Sequence, residues 1–388
     1  MEDKNDELNK KLLLFNKEID EALQNVSNNI SQIILNSKNE IKERIEEKKE
    51  LYKQLIDSRK VPIFKISQDS DVIDNYIINV VFFCLSNLEI ITQFTLGKKK
   101  KDLLKNITNK KHFIVSFIIL MMNMRNNNVK ELDYKNYKNI HEYLYERMNI
   151  YLNQDPAYII SLMLQLLEEG VNLCLNNNLD QNKNIITKNF SVTAKKEKKC
   201  NLCGNTKPGV KEKKFVIDLH LRKPDINIQD FQLDDFSEEL QSVLSSLLSD
   251  EKQGNCEICQ HNMTNITKLS DLNDYLIFNL NRENDPEKKM KLKYKIPLKL
   301  NEEKSNREYH YELILALVDI DTNIKGKSDP EIKSINTINK EVFQLYFKNF
   351  INDKSYRIIN GKLEEFNGDI NIEISKHNPN ILIYKRKN

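Results

Sequence analysis

Leu272-Asn-Asp-Tyr-Leu-Ile-Phe-Asn-Leu-Asn-Arg282 lies a short step after the pair Cys256-Glu-Ile-Cys259, and that pair has a distant counterpart in Cys200-Asn-Leu-Cys203. Within the first stretch, Tyr275–Leu280 is an apolar run of strand length. Each cysteine pair is a two-residue knuckle, a spacing that sets two thiolates on one face of a metal. Two knuckles make the closed tetrahedral thiolate site that Zn²⁺ prefers, with bonds of roughly 2.3 Å, and a site with no open position for water is structural. Gly204 suits the tight turn after the first knuckle. Other readings stay open: four buried unliganded thiols, a redox pair in either knuckle, or His261 in place of one cysteine.

Between the knuckles lie a strand-like run, Phe215–Leu221, and a helical stretch, Phe236–Leu248, so the metal is expected to join the tips of a β extension rather than close a compact finger. Downstream, Tyr311–Val318, Val342–Phe347 and Ile381–Tyr384 read as further strands. Upstream, Val72 to Val171 carries helix-length periodicity, including Phe113–Met124 and Tyr158–Leu167. Helices first and sheet afterwards predict an α+β fold.

The first 61 residues contain neither Gly nor Pro, and Leu8, Leu12, Phe15, Ile19, Ala22, Val26, Ile30 and Ile33 recur at steps of four and three. That is a heptad seam. Ser37 interrupts it, and it resumes around Ile41, Ile45, Leu51 and Leu55 before Pro62 ends the segment. One long helix or a hairpin of two fits the pattern, either folded back on a globular body or paired as a dimeric coiled coil.

Composition bounds the function. The 388 residues are 30% charged and 39% hydrophobic, which predicts a soluble globular chain. No run of about 18 uncharged apolar residues is present, and Phe113–Met124 is too short to span a bilayer. A net charge of +3 provides no global field for nucleic acid, and the basic run Lys98–Lys101 lacks interleaved aromatics, so neither nucleic acid nor membrane is an expected partner. The opening MEDKNDELNKK has no secretory pattern, which predicts a cytoplasmic or nuclear location with reduced thiols. Cys174 reads as a small buried hydrophobe.

The quoted stretch resembles the LPxxLIFHLKRF strand that follows the second knuckle in ubiquitin-specific proteases: Tyr275, Leu276, Ile277, Phe278, Leu280 and Arg282 match, while Asn279 and Asn281 depart. Further pieces follow in the family's order. Lys291–Pro297 resembles the strand leading to the family's FP, Tyr311–Val318 resembles YxLxAVV, and Asn378–Tyr384 resembles the closing AYxLFY strand. Gln154–Glu169 looks like the QDAxEFLxxLLDxLHEE helix. The resemblance implies a papain-like fold of helical thumb (about 67–190), zinc-tipped β fingers (about 196–270) and β palm (about 271–386), preceded by the helical extension 1–61.

In that family a cysteine thiolate attacks, a histidine carries the proton and an Asp or Asn orients the histidine. The gapless match of Asp74–Asn87 to NTCFMNSALQCLSN sets Tyr76 at the nucleophile position, and a phenol with a pKa near 10 cannot do thiolate chemistry. A rival register makes Cys84 the nucleophile, at the cost of placing Glu89 and Lys98–Lys101 where apolar residues belong. The family's GHYxAYVK falls on Glu341–Lys348, so Val342 stands at the general base; neither His310 nor His377 can be moved there without breaking neighbouring matches. The third position is Ile359, with Asn360 beside it. The family's QDAxEF motif helps to hold the basic tail of ubiquitin; here Gln154 and Asp155 remain and Tyr158 replaces the Glu. The resemblance therefore implies a catalytically dead member with structural Zn²⁺ on Cys200, Cys203, Cys256 and Cys259. It would act as a binding or scaffold module for ubiquitin or a ubiquitin-like protein, with a protein partner on the N-terminal helix. An active thiol isopeptidase using Cys84, and a structural zinc protein without ubiquitin contact, are the alternatives.

Overall fold

The computed structural model describes most of residues 21–49 and, within 61–387, all but 63–75, 98–111, 130–137, 148–154, 175–183, 223–236, 251–253, 285–290, 295–296, 303–306, 320–342 and 360–361. Seam residues Leu8 to Ala22, Leu51 and Leu55, the run Lys98–Lys101, and Gln154, Val342 and Asn360 lie outside the described residues. The chain divides into two compact units, Met1–Ile56 and Asp57–Asn388.

In the first unit, residues 24–39 form helix α1. Val26, Ile30, Ile33, Ile34, Ile41 and Ile45 are all exposed by about half. At 100° per residue the four that lie in α1 fall within an arc of about 100°, the width of an amphipathic face, with Leu35, also exposed, outside it. The seam's interrupting residue, Ser37, spends its hydroxyl on the Ile33 carbonyl at 2.9 Å.

The second unit opens with α2 (Tyr76–Ser86), α3 (Glu89–Leu96), α4 (Phe113–Arg125), α5 (Lys138–Arg147), α6 (Pro156–Cys174) and α7 (Ile185–Phe190). Helix α2 is apolar around its whole circumference, and Val80 through Leu85 are all buried. It ends where Ser86 Oγ and Asn87 Nδ2 both donate to the Phe83 carbonyl, each at 2.8 Å. Helix α6, at 19 residues, is long and apolar enough to cross a membrane, but Ile160, Leu164 and Leu167 are fully buried in the helical core. Gly170 lets it approach α4 closely, since a Cβ there would stand 2.8 Å from Ile114 Cβ.

Strands follow as expected. Strands β1 (Val192–Cys200), β2 (Thr206–Lys214), β5 (Ser249–Asp250) and β6 (Met263–Ser270) form a four-stranded antiparallel sheet in the order β2-β1-β6-β5. Its β1–β2 ladder is bulged after Lys195, and Gly209 sits where any Cβ would collide with the Lys196 carbonyl. Strands β3 (Ile217–Arg222), β7 (Tyr275–Asn284), β9 (Leu298–Asn301), β10 (Glu308–Asp319), β11 (Phe343–Lys348), β12 (Ser355–Ile359), β13 (Lys362–Phe366) and β14 (Pro379–Arg386) build the large sheet. Its order is β13-β12-β11-β10-β14-β7-β3, with β9 added to β10, and its pairs are antiparallel except β3 with β7. Short β4 (Ser237–Glu239) pairs with β8 (Lys291–Lys293), and α8 (Leu240–Leu247) and α9 (Ile370–Ile374) complete the unit.

Both faces of the large sheet are buried, which explains why its strands read as apolar runs. Tyr275, Ile277, Leu315, Leu345, Phe347 and Ile383 pack on the helical block, while their neighbours Leu276, Phe278, Ala316, Tyr346, Leu382 and Tyr384 face α8 and α9. Phe83 of α2 meets Phe347 of β11 edge-on at 5.5 Å. Glu89 of α3 and Lys385 of β14 form an ion pair of 2.6 Å across the helix–sheet boundary.

Candidate functional site

The two knuckles come together at the tip of the four-stranded sheet. The first closes the β1–β2 hairpin and the second lies in the turn before β6, so both ride on strands whose register is fixed by the β1–β6 ladder, ending at Cys200 opposite Met263. The four Sγ atoms lie within 4.8 Å of one another, with Cys200–Cys259 at 3.4 Å and Cys203–Cys256 at 3.6 Å. A tetrahedron with 2.3 Å metal–sulfur bonds has an edge of about 3.8 Å, so the donor set fits zinc. The two turns share a plan: the residue after each second cysteine is left-handed, Gly204 at φ 71° and Gln260 at φ 56°. The backbone N–H groups of Cys259 and Ile258 aim at Cys256 Sγ and lower its thiol pKa, while that of Cys203 beside it is raised, as expected of close donors that share one charge. Exposed His261 lies outside this cluster.

Tyr76 is the first residue of α2. Cys84 sits eight residues on, about 12 Å further along the helix, at 0% exposure. Burial pushes its thiol far above the ordinary value. Ile359 is half-buried at the end of β12, one step past the pair Leu345–Ile358 that joins β12 to β11. Three histidines of this unit are engaged with other groups. His112 Nδ1 accepts from Ile114 N at 3.4 Å as the cap of α4, His310 meets Glu308 at 2.8 Å, and His377 meets the Tyr346 hydroxyl at 3.1 Å on the sheet face turned away from α2.

A cleft of about 330 Å³ opens between α6 and the β2–β3 turn, lined among others by Asp155, Tyr158, Lys213, Phe215, Asp218 and Asn279. Asp155 Oδ1 accepts from Ala157 N at 2.9 Å and so caps α6. Shielding from water raises its carboxyl above the ordinary range against that hydrogen bond, and the facing carboxylate of Asp218 adds to the rise. Asn279 donates to Asp218 at 3.0 Å, Lys214 lies 3.8 Å from Asp218, and Lys213 pairs with Glu168 of α6 at 2.5 Å. Asp155 and Tyr158 line one wall; the opposite wall has no counterpart in the motif. Its signal was Asn279, one of the two departures in the quoted stretch.

Comparison with solved structures shows the same fold. A yeast SAGA DUB module structure matches with a TM-score of 0.56 at 13% identity, covering 81% of this chain and 67% of that one. The SAGA Ubp8/Sgf11/Sus1/Sgf73 DUB module bound to ubiquitin aldehyde matches at 0.59 and 14%, covering 86% and 71%. A form of that module bound to monoubiquitin matches at 0.57 and 14%, covering 84% and 69%. A search among curated protein sequences gave no match. Residues 16–384 match the ubiquitin carboxyl-terminal hydrolase profile, and with the ordered strands, the clustered knuckles and the shared fold, the chain belongs to the ubiquitin carboxyl-terminal hydrolase family.

Proposed function

We propose that this chain is a catalytically silent member of that family which binds ubiquitin or a ubiquitin-like protein as a scaffold, with structural zinc holding its finger tip. The observation that carries the reading is Cys84. The one cysteine that could replace the missing nucleophile is buried in the middle of an apolar helix, with its thiol held protonated. Nucleophilic attack needs a reachable thiolate. In the favoured register Tyr76, Val342 and Ile359 occupy the triad positions, and none of the three side chains can supply a thiolate, a proton shuttle or an orienting carboxylate. Ubiquitin is proposed because related structures hold ubiquitin aldehyde and monoubiquitin, and because Asp155 still lines a cleft beside α6.

The reading includes a division into a helical extension (1–61) and a body (67–386) of thumb, fingers and palm, a protein contact through the apolar face of α1, and a cytoplasmic or nuclear location. A ubiquitin probe with a thiol-reactive tail tests it: no labelling is expected, and labelling lost in Cys84→Ala would establish the active-protease alternative. Titration with ubiquitin separates the proposed binder from a purely structural zinc protein.

A further inference from the structure

We propose that α1 pairs face to face with α1 of a second copy of this chain. This rests on the protein contact proposed for the α1 face and names the partner.

The apolar seam repeats every eleven residues rather than every seven. Leu8, Ile19, Ile30 and Ile41 fall into one column and Leu12, Leu23, Ile34 and Ile45 into another, whereas a seven-residue repeat begun at Leu8 would put Asn29, Asn36 and Glu40 into the seam. Eleven residues over three turns is about 3.67 per turn, close to the 3.6 of an unstrained helix, so such a stripe keeps to one side over a long run. Within α1 it is carried by Val26, Ile30 and Ile34, each about half exposed. Ser37 comes next in the repeat, and its hydroxyl already donates to the Ile33 carbonyl at 2.9 Å. It can be covered without stranding a donor.

The composition of α1 calls for a cover. Its run of Asn, Ser and Ile is made of weak helix formers and offers no i,i+4 ion pair between residues 22 and 37, so its order must come from burying the stripe. Charge says what buries it. Between Glu21 and Lys38 there is no charged side chain, in a chain that is 30% charged. A helix of different sequence is selected by opposite charges flanking the seam, and α1 presents none. A second copy requires none, because no like charges then face one another. Asn, Gln and Ser each carry both a donor and an acceptor, so they complement their own kind across a self-pair.

The test is sedimentation of the full chain over a range of concentrations, where the parent is expected to reach twice the mass of one chain. Ile30→Glu with Ile34→Glu, and Ile30→Lys with Ile34→Lys, should each sediment as single chains, with the dissociation constant raised at least about a hundredfold by like charges meeting in an apolar seam. An equal mixture of the two should regain the dimer, which also shows that neither had simply lost its fold. Leu35→Glu, on the opposite side of α1, should leave the dimer intact. A parent that stays single at every concentration, seam variants that still dimerise, a mixture that does not recover, or Leu35→Glu acting as strongly as the seam changes would overturn the self-pairing. So would a single-chain parent that sediments with phosphatidylcholine vesicles, which would assign the stripe to a lipid surface. A single-chain parent leaves ubiquitin binding, and an α1 contact with a different protein, standing.

Discussion

Gly170→Ala tests how tightly the helical block is packed. The new methyl would lie 2.8 Å from Ile114 Cβ, 3.0 Å from its Cδ1 and 3.1 Å from its Cγ2, against a comfortable carbon–carbon separation of about 3.5–4.0 Å. Ile114 is fully buried and β-branched, so its side chain has no alternative rotamer into which to retreat. Overpacking of this kind costs about 1–3 kcal/mol, while replacing a helical glycine by alanine returns about 1 kcal/mol. The net expectation is a loss of about 1 kcal/mol, read from the urea midpoint with the slope unchanged. Ile114→Ala alone should cost about 2–5 kcal/mol; it removes the Cδ1 and Cγ2 contacts but keeps Cβ, so adding Gly170→Ala to it should still cost, by less than in the parent, with a coupling of at least about 0.5 kcal/mol. A Gly170→Ala protein that is more stable by the full propensity gain, and additive with Ile114→Ala, would refute the close approach of α4 and α6.

Purified protein is expected to carry about one zinc per chain; metal analysis with all four knuckle thiols freely reactive and no zinc would remove the site. Because zinc binds the thiolates and not the thiols, zinc-linked stability should be present at neutral pH and fall away on acidification, read by chelator-detected release. No cleavage of ubiquitin conjugates is expected, and Cys84→Ala should behave as the parent in any ubiquitin assay; turnover that vanishes in that variant would overturn the pseudo-enzyme proposal. Deleting residues 1–60 should change sedimentation mass or stability, since the α1 face must be covered in solution by something; no change in either would show that the segment is neither a dimer coil nor a docked helix.

Much of the fold was legible because burial imprints itself on the sequence. Runs such as Tyr311–Val318 are apolar on both sides of the strand because both faces of the sheet are covered, and the knuckle spacing announced its own geometry. Shorter pieces were hidden. The stretch read as helix from Phe236 begins as β4 at Ser237, and Phe215 and Val216, read as strand, sit in the bend before β3. Their apolar character reports contact with the core, which is independent of backbone shape. The cleft was half legible: Asp155 and Tyr158 follow one another on a helix, whereas Lys213, Asp218 and Asn279 meet them only through the crossing of three separate strands.

Strand β14 occupies the middle of the large sheet, flanked by β10 and β7, although residues 379–386 are translated after both neighbours. A ribosome must therefore deliver β7 and β10 long before the strand that joins them. Until then each exposes a row of unpaired amides beside side chains such as Phe278 and Leu317, which are fully buried in the finished sheet. Such late, long-range pairing is slow, and the waiting edges invite aggregation. Nascent chains halted before residue 379 should be held by chaperones or degraded, and a nonsense codon in that last stretch would then deplete the protein as completely as one near its start.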